Sequence, residues 1–175
     1  MKTGKVRASA PGKLMLFGEH AVVYDYPCIV TAVDLRYFVT LEKTQEAKIV
    51  LDIPNLKDEQ TEFSIQDIRE LDKYQKGTSF VLAAVKHFYA RHNIASGIYL
   101  STSGPEISYG LGSSSAITVA TIAALAKLFE IEISKQEIFE IAYAAVLDVQ
   151  GKGSGFDVAA AVFGGTIYYQ MSGKI

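Results

Sequence analysis

The first third of the chain alternates. Tyr37, Val39 and Leu41, then Ile49, Leu51 and Ile53, place apolar side chains at every second position, the period of strands with one buried face. Shorter apolar runs at 6–8, 14–17 and 28–33 extend the pattern, which predicts a mostly antiparallel sheet at the front of the chain.

The period then changes. After Thr78, a candidate cap, Phe80, Val81, Ala84, Val85 and Phe88 fall on one helical face. A short strand over 98–101 leads into a glycine-rich loop and then a helix from about Ser113, apolar almost all round and so expected to be buried. Ser134 and Glu137 have capping-box spacing and open a third helix, with Ile138, Ile141, Ala142, Ala145 and Val146 facing inward. Residues 166–169 close the pattern as a strand. Strands first and helices after, with one-sided sheets, predict an α+β fold with helices packed on one face of the sheet, and not a doubly wound one. No repeat or linker interrupts residues 1–175, so one domain is expected.

Composition narrows the function classes. The 17 Lys and Arg against 19 Asp and Glu give no basic excess, which argues against a nucleic-acid partner. The longest apolar stretch, 116–128, is broken by Thr118, Thr121 and Lys127 and falls short of the roughly 20 residues a membrane span needs, so no membrane partner is expected. Residues 1–10 lack the continuous apolar segment of a secretory signal, and Cys28 is the single cysteine; both favour a cytoplasmic protein. Cys28 lies in an apolar run and reads as a small buried hydrophobe.

Three segments can carry chemistry. In the first, Gly110, Leu111, Gly112, Ser113, Ser114 and Ser115 lead directly into the buried helix. Small residues let the main chain approach an anion, the first-turn amides lack intrahelical partners, and the positive end of the helix dipole faces the same point. No lysine follows the last glycine, so this is not a Walker A loop. In the second, Lys13, Glu19 and His20 bracket a short apolar strand bounded by Gly12 and Gly18, a set of polar groups suited to the edge of a site. In the third, Asp157 stands alone between a glycine-rich turn and an apolar helical stretch, where it is either a helix N-cap or a functional carboxylate.

Together and in this order, the Pro11-Gly12-Lys13…Gly18-Glu19-His20 strand, the 110–114 loop and the Ser154-Gly155-Phe156-Asp157…Gly164-Gly165 segment resemble the amino-terminal domain of the GHMP kinases, over about residues 8–169. Residues 18–24 look most like the mevalonate kinases of that superfamily, whereas residues 150–161 resemble its phosphomevalonate kinases. The resemblance implies a fold similar to domain 2 of ribosomal protein S5, and an ATP- and Mg2+-dependent transfer of phosphate to a small molecule, mevalonate first and phosphomevalonate second. It admits a homodimer.

By the same resemblance, residues 110–115 face the ATP phosphates and Ser114 binds magnesium. Asp157 takes the proton from the attacking hydroxyl, Lys13 keeps that carboxylate charged and steadies the developing alkoxide, and Glu19 and His20 order the substrate. Mevalonate kinases carry a glutamate metal ligand eleven residues before the aspartate. Here that position is Val146, and Asp148 is the candidate replacement. Family members continue into a second domain, so the chain is expected to be one part of an enzyme and to have little activity alone. A non-catalytic binding module is the alternative from another class; the joint presence of Lys13, Ser114 and Asp157 argues against it.

Overall fold

The computed structural model describes residues 4–54, 61–72, 74, 77–105 and 110–172. Residues 106–109 of the glycine-rich stretch lie outside them.

Two long strands carry the sheet. β1 (Val6–Phe17) and β2 (Cys28–Lys43) pair antiparallel from Val6 opposite Leu41 to Phe17 opposite Ile29. The sequence pattern suggests two runs in each; the structure joins them, with register shifts at Pro11/Gly12 and Met15/Phe17. Such shifts bend a strand without ending it. Pro11 is tolerated because β1 is an edge strand, where a missing N–H donor costs little.

The far edge of β2 serves two partners. Its first residues pair with β6 (Thr166–Tyr169) and its last with β5 (Ile98–Ser103), both antiparallel. β3 (Lys48–Asp52) joins β5 in parallel, and β4 (Glu62–Ser64) pairs with β3, giving the order β1-β2-β5-β3-β4 with β6 beside β2. The sheet is therefore antiparallel except for one pair. β4 and the short helix α1 (Ile65–Arg69), opened by a Ser64/Asp67 capping box, fall in a region where the sequence pattern predicts nothing specific.

Helices α2 (Ser79–His92), α3 (Ser113–Phe129), α4 (Lys135–Gln150) and α5 (Phe156–Phe163) complete the α+β fold. α3 is the hub and packs against β1, β2, α2, α4 and α5. Its all-round apolar surface is explained by that position, and Thr118 and Thr121 are buried there because each hydroxyl donates to the carbonyl one turn back, Ser114 and Ile117. Ser134 caps α4 by accepting from the Glu137 amide, and the expected inner face is buried at Ile141, Ala142, Ala145 and Val146. Thr78 holds the N-cap position of α2 without a side-chain capping bond. A second small cluster gathers Val22, Cys28, Ala159 and Tyr169 under α5, which makes Cys28 a buried hydrophobe; burial raises its thiol pKa.

One face of the sheet stays open. Phe17, Ile29 and Tyr168 lie side by side across β1, β2 and β6, and all three are exposed, Phe17 to 71%. Among the described residues, no helix is long and apolar enough to cross a membrane.

Candidate active site

Residues 110–115 form the turn into α3. Gly110 and Gly112 have φ of 76° and 72°, a left-handed conformation that glycine adopts without a steric penalty, and Gly112 is the N-cap. The Ala116 amide donates back to the Gly112 carbonyl at 3.0 Å, so the amides of Ser113, Ser114 and Ser115 precede that bond. They lie at the positive end of a 17-residue helix, an arrangement that attracts phosphate. Ser113 and Ser114 also line a cavity of about 520 Å³ whose other walls include Ile53, Phe80, Val81 and Thr102. A mostly apolar cleft beside a cluster of amides suits a nucleotide, with base and ribose in the cleft and phosphates at the helix.

β1 reaches this loop through its main chain. The Lys13 amide donates to the Leu111 carbonyl at 2.8 Å. Gly12 permits the approach, because a Cβ there would lie 2.8 Å from the same oxygen. The Lys13 side chain runs past Gly112, and its Nζ stands 5.1 Å from the centre of the Phe156 ring. Lys13 and Asp157 form no ion pair within 4.0 Å; the ammonium rests on the aromatic residue that immediately precedes the carboxylate.

Asp157 is not an N-cap. Gly155 holds that position in α5, and Asp157 lies in the first turn, where a negative charge is favoured. Its Oδ2 accepts from the Ser115 hydroxyl at 2.6 Å and its Oδ1 from the Val158 amide at 3.0 Å. The preceding turn is held by two phenols. Tyr143 donates to the Gly153 carbonyl at 2.7 Å and Tyr169 to the Ser154 carbonyl at 2.6 Å. Burial, reinforced by the nearby Asp157 charge, pushes both phenols above their ordinary pKa and keeps them neutral donors. Gly155 must be glycine, with φ of 81° and a would-be Cβ 2.9 Å from Tyr169 Oη and 3.0 Å from the Tyr143 ring.

Glu19 and His20 follow β1 at the open end. Gly18, at φ 90°, turns the chain beneath Pro27 and Cys28, and His20 is the N-cap of a short 3-10 helix, Ala21–Tyr24. Both side chains are exposed, and in sequence they follow Phe17 of the uncovered apolar row by two and three residues.

Asp148 is placed elsewhere. Its Oδ2 accepts from the Tyr74 hydroxyl at 2.5 Å and from Lys86 Nζ at 3.0 Å, and His87 Nε2 lies 3.0 Å away, a cluster that ties α4 to α2. Burial opposes its charge, but these bonds and the Lys86 charge prevail and hold its carboxyl below the ordinary value. Val146 is buried in the core, and two residues along a helix is a rotation of about 200°, so Asp148 cannot take over the direction in which residue 146 points. Among the described residues, no group of three His, Cys, Asp or Glu side chains could hold a metal ion. From this chain, the Ser114 hydroxyl remains as the side-chain candidate at the loop.

The structure thus brings together Lys13, residues 110–115 and Asp157, and commits Asp148 to Tyr74, Lys86 and His87 instead. Phe156, Tyr143 and Tyr169 are contributors that sequence reasoning missed. Only the run of three serines carried a readable hint, since its third member falls on the inner side of α3.

This fold places a glycine-rich helix entry and a carboxylate side by side, and similar proteins share the arrangement of its elements. Residues 79–165 match the family described as GHMP kinases N terminal domain, and this stretch belongs to that family. Among its curated relatives are mevalonate kinases. That of Pyrococcus abyssi is 39% identical over 176 residues, covering 95% of this chain and 51% of that protein. That of Archaeoglobus fulgidus is 38% identical over 168 residues, covering 96% of this chain and 54% of that protein. The crystal structure of Methanococcus jannaschii mevalonate kinase superposes with a TM-score of 0.88 at 29% identity, over 99% of this chain and 56% of that one. The chain spans about half the length of the curated relatives it matches.

Proposed function

We propose that this chain supplies the nucleotide-binding wall and the general base of a kinase that transfers phosphate from ATP to the 5-hydroxyl of mevalonate. The observation that carries this reading is the placement of Asp157 within one hydrogen bond of the loop that opens α3, so that a proton acceptor stands beside an anion site.

In this mechanism the γ-phosphate rests at the amides of residues 113–115, and the nucleoside occupies the 520 Å³ cavity. Asp157 accepts the hydroxyl proton as the oxygen attacks phosphorus and the bond to ADP breaks. The Lys13 ammonium, resting on Phe156, swings to the developing charge between base and phosphate. Glu19 and His20, at the exposed end of β1, orient the acceptor. Ser114 would hold Mg2+ together with phosphate oxygens and water, the partial protein coordination that this ion commonly accepts. The ion would neutralise phosphate charge.

The domain acts together with a second half, such as the relatives' additional length provides. What supports this is the uncovered row of Phe17, Ile29 and Tyr168 and the exposed Glu19 and His20 that follow Phe17 in the chain, an apolar patch with a polar edge that suits a partner surface.

The test is a phosphoryl-transfer assay of the enzyme with both halves present, offering mevalonate, phosphomevalonate and a panel of sugars. Preference for mevalonate is expected. Preference for phosphomevalonate, the acceptor suggested by residues 150–161, would overturn the assignment.

A further inference from the structure

The third serine of the loop does something different from the first two. Ser113 and Ser114 face the cavity, but Ser115 is 1% exposed and points inward. A buried hydroxyl on a helix usually donates to the carbonyl one turn back, as Thr118 and Thr121 do at 2.9 and 2.8 Å. For Ser115 that carbonyl belongs to Leu111, which already accepts the Lys13 amide. The Ser115 hydroxyl goes instead to Asp157 Oδ2, 42 residues away in sequence, at 2.6 Å, the short range typical of a hydroxyl donating to a carboxylate.

We propose that Ser115 is a positioning residue for Asp157, fixing the carboxylate relative to the phosphate loop. The proposal rests on the reading of Asp157 as the general base. Two anchors hold the carboxylate, the Val158 amide on Oδ1 and the Ser115 hydroxyl on Oδ2. The first is local and moves with α5. The second ties α5 to the first turn of α3, the same turn whose amides face the phosphates. The base on α5 is therefore fixed to the element that bears the phosphate site, and remaining lone pairs on the carboxylate can take the acceptor proton. Removing the tie leaves the base in place chemically but frees its side-chain torsion. Misplacement on the order of 1 Å can cost about a hundredfold in rate.

The test is a double-mutant cycle in the enzyme with both halves present, with ADP affinity measured alongside. Ser115→Ala should lower kcat by about ten- to a hundredfold while the KM for ATP and the Kd for ADP change less than about twofold. Alanine suits a buried helical position, and an unchanged melting profile shows that the fold is kept. In an Asp157→Asn background, Ser115→Ala should have no further effect on kcat, because the group it positions is gone. An equal loss in both backgrounds, or no loss in the wild type, would overturn the positioning role. Failure of the base assignment shows separately, as an Asp157→Asn enzyme that retains full turnover.

Discussion

The Lys13 amide donates to the Leu111 carbonyl at 2.8 Å, so the strand that carries the ammonium and the loop that opens α3 are joined main chain to main chain. That contact exists because residue 12 is glycine. In Gly12→Ala the new methyl would lie 2.8 Å from the Leu111 oxygen, and since a backbone atom cannot swing aside, β1 or the loop must shift. ADP affinity, measured by calorimetry, should fall about tenfold, equivalent to about 1.4 kcal/mol. Unchanged affinity would mean that the loop geometry does not depend on this contact.

The turn before Asp157 should be equally intolerant. Gly155→Ala combines a left-handed φ of 81° with contacts of 2.9 and 3.0 Å to Tyr169 and Tyr143, and is expected to cost about 1–3 kcal/mol in denaturant unfolding. Tyr169→Phe removes the donor to the Ser154 carbonyl and should cost about 1–2 kcal/mol.

Asp148 gives a pH-dependent signature away from the site. Its carboxyl pKa lies below the ordinary 3.8 in the folded chain, so its contribution to stability is fully present above that value and is lost as pH falls through the lower, folded value. Asp148→Asn should therefore be less stable than wild type near neutrality, by roughly 1 kcal/mol for a partly exposed cluster, with the difference closing below about pH 4. The magnesium dependence of turnover should not change in this variant. A changed dependence would return Asp148 to the metal site.

Much of this was legible in the sequence, for identifiable reasons. The alternation at Tyr37, Val39 and Leu41 and the helical spacing from Phe80 to Phe88 report which faces are buried, and burial is what the fold then shows. β1 and β2 came out longer than the pattern suggests because Gly12, which reads as a break, is a register shift within a continuous strand. The loop over 110–115 and Asp157 were readable because glycine runs and a lone acid among apolar residues are locally unusual. Contacts between distant segments were not. The seat of Lys13 on Phe156, the two phenols beneath the turn and the commitment of Asp148 to Lys86 and His87 arise from the packing of α2, α4 and α5, which no local pattern encodes.

The open apolar row makes its own prediction. If Phe17, Ile29 and Tyr168 meet a second half, the 175-residue chain alone should bind ADP through α3 yet turn over mevalonate far more slowly than the enzyme with both halves. Full turnover by the isolated chain would show that this face has no part in the site.

In the proposed reaction Asp157 is the proton acceptor. Asp157→Asn preserves the size of the side chain but cannot take the proton. The most direct test is to measure ADP binding and mevalonate phosphorylation of this variant side by side, in the enzyme with both halves present. Binding should stay within about twofold of wild type while kcat falls by about a hundredfold to ten-thousandfold. Turnover at the wild-type rate would contradict the claim and leave Asp157 as a structural residue of the first turn of α5.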